Sequence, residues 1–306
     1  MKLNSQCNVR DVTGLNVLSV MKYYYDIAGF TLSIETDAQS LQHMPSFIPF
    51  VRESVPGKVD FKIVQKDTLY DFTKAGKIGT YQWFQAVCTL YRMNDQYIWN
   101  RVDTVSGKID QVVWHGYEPR VFKMYLSNYM PHVLEHLVLI AFNYAVLPHN
   151  ALILHSSVVE LENQAYLFLG ESGTGKSTHT KLWVKYLPES KILNDDGPII
   201  RVCEGKVFAF GSPWSGKGRV FRNVGIPVNG IYRLSQAPYN KLTVLGIPGA
   251  FSSLVPSCLP VVMQVERHAD MAFNILSNVI MLTRQFHLDC LPDAKAAYLS
   301  HSQKCL

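Results

Sequence analysis

A chain of 306 residues is long enough for one large domain or two ordinary ones. Its 48% hydrophobic, 12% aromatic and 17% charged content excludes disordered and fibrous classes. The net charge of +5 is mild and its basic residues are dispersed, which suits an anionic small molecule and argues against nucleic acid as a partner. No apolar run reaches the ~18 residues of a membrane span, and Met1 to Asp11 is polar, without the apolar centre of a signal peptide. The expectation is a cytoplasmic protein with no membrane partner. The six cysteines are widely separated and form no CxxC pair, the usage of a reduced compartment rather than of a disulfide framework or a zinc site.

In chain order, the alternation Phe30-Thr31-Leu32-Ser33-Ile34 predicts a half-buried strand, paired with Lys22 to Ile27 through the turn Ala28-Gly29. Strands are also predicted at Asp60 to Val64, Tyr81 to Tyr91, Tyr97 to Val102 and Gln111 to Trp114, with turns at Asn94-Asp95 and Ser106-Gly107. The aromatics of this β-rich third read as core and cross-strand packing, because no basic residues interleave them as a base-stacking platform would require. A helix is predicted over Pro131 to Val146, with Pro131 in its first turn and Pro148 just past its end. It contains His132-Val133-Leu134-Glu135-His136, a match to HxxEH, the inverted zinc-protease pattern. His132, Glu135, His136 and Asn143 share one stripe of that helix, which an ordinary solvated face would also produce, and no further metal ligand can be assigned.

From Ala151 the pattern changes. Leu152 to Val159 and Ala165 to Leu169 are two apolar strands joined by the turn Glu162-Asn163, with His155 interrupting the first. The second runs into Gly170-Glu171-Ser172-Gly173-Thr174-Gly175-Lys176-Ser177, a full match to GxxxxGK[ST] followed at Thr178 by a helix-compatible run. Three glycines let the backbone curl into a nest whose N–H groups face phosphate oxygens, and the helix dipole adds to the attraction. Lys176 would reach the β- and γ-phosphates, and the Ser177 hydroxyl would ligate Mg²⁺. Binding of a nucleoside triphosphate with Mg²⁺ is therefore expected. Lys191 to Leu193 is a short strand running into Asn194-Asp195-Asp196-Gly197. Adjacent carboxylates one helix past the loop suit holding Mg²⁺ and taking the proton of an alcohol acceptor, though an Asp-Asp-Gly turn alone would also fit the string. Phe210 to Asn223, with Lys217, Arg219 and Arg222 among glycines and a proline, reads as a mobile positive loop able to close over phosphates or a substrate. Strands at Gly230 to Leu234, Lys241 to Leu245 and Phe286 to Cys290, a helix at Ala269 to Leu282 and a short helix beyond Pro292 complete the prediction.

Taken together, these stretches resemble the C-terminal catalytic domain of HPr kinase/phosphorylase, whose fold is related to ATP-dependent phosphoenolpyruvate carboxykinase. The resemblance spans roughly Ala151 to Leu299. It rests on Leu154-His155-Ser156, the phosphate loop with Glu171 after its first glycine, Asn194-Asp195-Asp196, and Arg222-Asn223-Val224-Gly225. It implies an α/β fold, a mixed-sheet P-loop kinase domain over 149–306 behind a β-rich region over 1–148. It also implies a phosphotransferase in which Lys176, Ser177 and the loop bind ATP and Mg²⁺, and Asp195 or Asp196 deprotonates a serine hydroxyl. His155 would orient that base and Arg222 would neutralise developing charge. The related kinases are oligomers, which extends to a homo-oligomer here. Two positions depart from the family: Val220 replaces an acidic residue and Asn223 a glycine of the signature loop, which weakens the case for the phosphorylase half-reaction. The acceptor, a peptide, protein or small-molecule hydroxyl, is not specified. The alternative is a regulatory module that binds ATP without transferring phosphate. A transport or motor ATPase is disfavoured, since the acidic strand follows the loop too soon and no LSGGQ-like signature is present.

Overall fold

The computed structural model describes residues 20–37, 44–127, 130–216 and 218–302. The chain divides into two compact units between Ala145 and Val146. Both are mixed α/β with mixed sheets. Among the described residues, no helix is long and apolar enough to cross a membrane.

The N-terminal unit is an eight-stranded sheet of order β1-β2-β3-β8-β7-β6-β5-β4 with one long helix, Pro131–Val146. Its first hairpin joins β1 (Val20–Ile27) to β2 (Phe30–Asp37) through Ala28 and Gly29, whose φ angles of 53° and 77° match the twist of the flanking strands. β3 (Phe61–Lys66) and β8 (Val121–Tyr125) run parallel, and β8, just past the turn residues Gly116 and Pro119, had no counterpart in the prediction. The single strand predicted over Tyr81 to Tyr91 is in fact a hairpin of β4 (Gly76–Trp83) and β5 (Ala86–Met93). Its turn puts Phe84 at φ 49°, and neither Phe84 nor Gln85 is a residue type that announces such a turn. β6 (Gln96–Asp103) and β7 (Ile109–His115) complete the sheet.

The helix covers this sheet with Leu134, Leu137, Val138, Ala141 and Phe142, all fully buried. Phe142 meets Phe30 and Phe61 edge-on, and Tyr144 packs 4.3 Å from Trp114. The polar stripe is not a solvated face. His136 and Asn143 are buried, and His136 stacks on Trp83 with centroids 3.8 Å apart. Burial holds the His136 imidazole neutral, with its pKa lowered to about 3. Glu135 accepts a hydrogen bond of 2.5 Å from Ser46. Among the described residues, no group of three His, Cys, Asp or Glu side chains is arranged to hold a metal ion.

The C-terminal unit is a nine-stranded sheet of order β12-β10-β11-β15-β14-β13-β9, with β17 beside β15 and β16 (Lys241–Val244) beside β17. The strand predicted over Leu152 to Val159 breaks at Leu154-His155 into β9 (Ala151–Ile153) and β10 (Ser156–Leu161), which pair with different neighbours. Leu154 and His155 instead bond to the backbone at Pro198 and Ser257. β11 (Gln164–Leu169) leads into the glycine-rich loop Gly170 to Gly175 and lies parallel to β15 (Gly225–Gln236), which lies parallel to β17 (Arg284–Cys290). β12 (Lys191–Asp196) is antiparallel to β10, and β10 to β11, so β12 points the same way as β11. One edge of the sheet thus collects the C-terminal ends of β11, β12, β15 and β17 and the start of β10. That is the edge at which open α/β sheets bind ligands.

Beneath that edge, Phe168, Tyr232 and Phe286 stack across three adjacent strands at 5.4 and 4.8 Å. Trp183 of the helix Lys176–Tyr186 lies 4.6 Å from Tyr166. Each buried aromatic of this kind contributes about 2–3 kcal/mol of transfer free energy, and together they fix the loop strand and loop helix against the sheet. The helix Glu266–Leu282 packs on β9, β13, β14 and β17, the short helices Ile247–Leu254 and Pro260–Met263 pack against it, and the helix Ala294–His301 packs on the loop helix. β13 (Ile199–Cys203) and β14 (Lys206–Phe210), a hairpin turning at Glu204-Gly205, and the helices Ile247–Leu254 and Pro260–Met263 had no counterpart in the prediction.

Candidate phosphate-loop site

Gly170 to Gly175 forms the turn between β11 and its helix, with Gly173 and Gly175 at φ 86° and 101°. A Cβ at Gly173 would point into open space, so glycine serves there for backbone conformation and not for room. Thr174 braces the loop through its hydroxyl on the Glu171 carbonyl, and Gln236 Nε2 of β15 donates to the Gly173 carbonyl at 3.2 Å. Glu171, Ser172 and Gly173 are themselves exposed or nearly so, and Thr178 opens the second half-turn of the helix. Lys176 is folded back over the loop, with Nζ donating to the Gly170 carbonyl at 2.8 Å and to that of Glu171 at 3.1 Å. Burial pulls the Lys176 pKa below the ordinary lysine value while Asp196 and Asp195 pull it upward. An ammonium held by carbonyls at the mouth of an amide nest is placed for an anionic ligand.

Beside the loop, Asp195 is buried at the end of β12 and its Oδ1 accepts from two hydroxyls, those of Ser177 at 2.9 Å and of Ser157. Its Oδ2 faces Gly218, where a Cβ would come within 3.3 Å. Asp196, next in sequence, is exposed where Asp195 is buried. Its Oδ1 lies 3.1 Å from His155 Nε2, with side chains 57% and 46% exposed, so this pair is open to solvent where the Asp195 pair is not. Asn194 clamps the turn: its side chain donates to the Ser212 carbonyl at 3.3 Å and accepts from the Gly197 N–H at 3.1 Å. The donor set of Ser177 and Asp195 is all hard oxygen, which fits Mg²⁺ shared with phosphate oxygens and would suit a softer metal poorly.

The loop 211–224 is less free than its composition predicts. Gly211 to Trp214 are buried, Ser212 Oγ donates to the Gly197 carbonyl at 2.6 Å, and the Gly216 N–H bonds the Asp195 carbonyl. The reason lies in Asn194 and Gly197, whose polar groups need partners that only this segment supplies. Arg219 is exposed at its tip, and Lys217 lies outside the described residues. Arg222 is not brought to the carboxylates. Its guanidinium pairs with Glu160 at 2.7 Å and reaches the Ile192 carbonyl at 3.4 Å, which lies three residues, about 10 Å, back along β12 from Asp195. Two residues that the sequence reading passed over take part instead. Ser157 holds Asp195, signalled only by a serine pair in an apolar strand. Arg233, opposite Leu169 in the β11–β15 register, sits at the root of the loop with Nη2 3.9 Å from Glu171. A lone arginine in the apolar run Gly230 to Leu234 was the available clue.

No protein-family model and no curated protein matches this sequence. Among solved structures, the Hpr(Ser) kinase/phosphatase from Coxiella burnetii is similar at 10% identity over 49% of this chain and 86% of that chain, with a TM-score of 0.29. The relationship is a distant one.

Proposed function

We propose that the C-terminal unit is an ATP- and Mg²⁺-dependent kinase that transfers the γ-phosphate to a hydroxyl, with serine of a peptide or protein as the acceptor class. The observation that carries this reading is the convergence, on one sheet edge, of a glycine nest with Lys176, a Ser177 to Asp195 hydrogen bond, and the solvent-open Asp196 and His155 pair. Loop N–H groups and Lys176 bind the phosphates, and Arg233 adds a second positive charge at the loop root. Asp195 fixes the Ser177 hydroxyl. Ser177 and Asp195 would hold Mg²⁺, which when bound would supply neutralisation of phosphate charge, and ADP departs with the electron pair of the broken bond. Asp196, oriented by His155, accepts the proton of the attacking hydroxyl as its oxygen bonds phosphorus.

One observation favours a second reading, an ATP-binding regulatory module. Arg222, the cation expected to offset developing charge, is engaged by Glu160. The test is transfer of labelled phosphate from ATP into lysate proteins and peptide libraries by the whole chain, compared with Asp195→Asn and Asp196→Asn. Transfer lost in both variants supports the kinase. Tight ATP binding with no transfer to any acceptor by the unaltered protein would sink it and leave the regulatory module.

A further inference from the structure

A cavity of about 670 Å³ opens against the phosphate loop on the side away from the carboxylates. In the strand order β12-β10-β11-β15-β17, the acids stand at the β12 and β10 end, and the cavity lies at the β15 and β17 end. Its walls come from Thr178 and Leu182 of the loop helix, Leu234 of β15, Cys290 at the end of β17, and Pro238 and Pro292 beyond the strand ends. None of the lining residues carries a charge. His179 is turned to Ser300 and Trp183 behind the wall, and burial keeps it neutral, with its pKa lowered to about 4. The volume lies within the range of ordinary ligand sites, roughly 300–1,000 Å³.

From this geometry we infer that the cavity receives the base and ribose of the nucleoside triphosphate, so that the polyphosphate crosses the loop and its terminal phosphate lies beside Asp195 and Asp196. The inference rests on the phosphate-loop reading and adds a direction to it. Adjacent strands stand about 4.8 Å apart, which puts the cavity and the acids each about 10 Å from the loop strand, a span that a nucleotide covers. The opposite orientation would bury phosphate oxygens among leucines and prolines with no cation, a costly burial of charge. A flat uncharged ring in the same slot gains from apolar contact. A hydroxyl acceptor placed there would be separated from Asp196 by the loop itself.

Two measurements on the whole protein test this. In calorimetry with Mg²⁺, Ala237→Trp, at the cavity wall, should weaken ATP binding at least about tenfold while leaving inorganic tripolyphosphate within about twofold, since only the nucleoside meets the added ring. In the unaltered chain, ATP should slow maleimide labelling of Cys290, followed by peptide mass spectrometry, and tripolyphosphate should not. Equal ATP affinity in a folded Ala237→Trp protein, or equal Cys290 labelling with ATP and tripolyphosphate, overturns the inference and leaves the loop reading intact. An unaltered protein that binds neither ligand overturns the loop reading and this inference with it.

Discussion

His136, in the N-terminal unit, is stacked on Trp83 and held neutral by burial, whereas His155, in the C-terminal unit, keeps 46% of its side chain exposed and sits 3.1 Å from Asp196. Each lies in a string that matches a known chemical pattern. In the first, helix packing takes up the polar groups one by one: His136 into a ring stack, Glu135 onto Ser46, Asn143 into the core. In the second, strand ends leave the polar groups facing one another at an edge that packing does not cover. Residue type therefore nominates a reagent, and burial decides whether it can act as one.

The largest effect that separates the two units is on phosphoryl transfer. Asp195→Asn and Asp196→Asn should each lower the labelled transfer rate by about 10²–10⁴, whereas His136→Gln should leave it unchanged. Loss of transfer in His136→Gln at intact stability would break the contrast. Acid stability comes next. His136 and His179 have folded pKa values of about 3 and about 4, below the ~6.5 of an unfolded histidine. Between these values the unfolded chain binds more protons, so stability is full above pH 6.5 and falls as pH drops toward 4, by at most ~1.4 kcal/mol per pH unit for each group. Urea midpoints across that window should show the fall, and His136→Gln should remove only its own share. Lys176→Ala should weaken ATP binding by about 10–100-fold in calorimetry, the equivalent of one charged hydrogen-bond partner. Smallest is the arginine pair. Arg222→Ala should cost stability of about 1 kcal/mol with ATP affinity intact, while Arg233→Ala should weaken ATP affinity several-fold. The reverse result would return Arg222 to the site.

Much of this was legible where local chemistry dictates structure. The helix from Pro131, the turn at Glu162-Asn163 and the strand–loop–helix order around Gly170 follow from proline placement, left-handed turn residues and periodicity. What stayed hidden depends on partners distant in sequence. Phe84 adopts a left-handed turn that its type disfavours because two long strands on either side demand it. Arg222 looked free because Glu160 is far away in the chain. Ser157 and Arg233 become site residues only through strand register, which no local pattern encodes. The loop 211–216 looked mobile because the buried amides and carbonyls of Asn194 and Gly197, which hold it, could not be placed beforehand.

Asp196 has a further property, its backbone φ of 141°, a conformation that residues with a side chain rarely adopt. It is held there by a β-bridge to Ser215 and by the adjoining bond from the Gly216 N–H to the Asp195 carbonyl. Such a residue stores about 1–3 kcal/mol. The proposed base thus sits in a conformation that glycine would adopt more easily, and Asp196→Gly should raise the melting temperature while abolishing transfer. If Asp196 takes the acceptor proton as proposed, its backbone strain sets stability against activity at a single position.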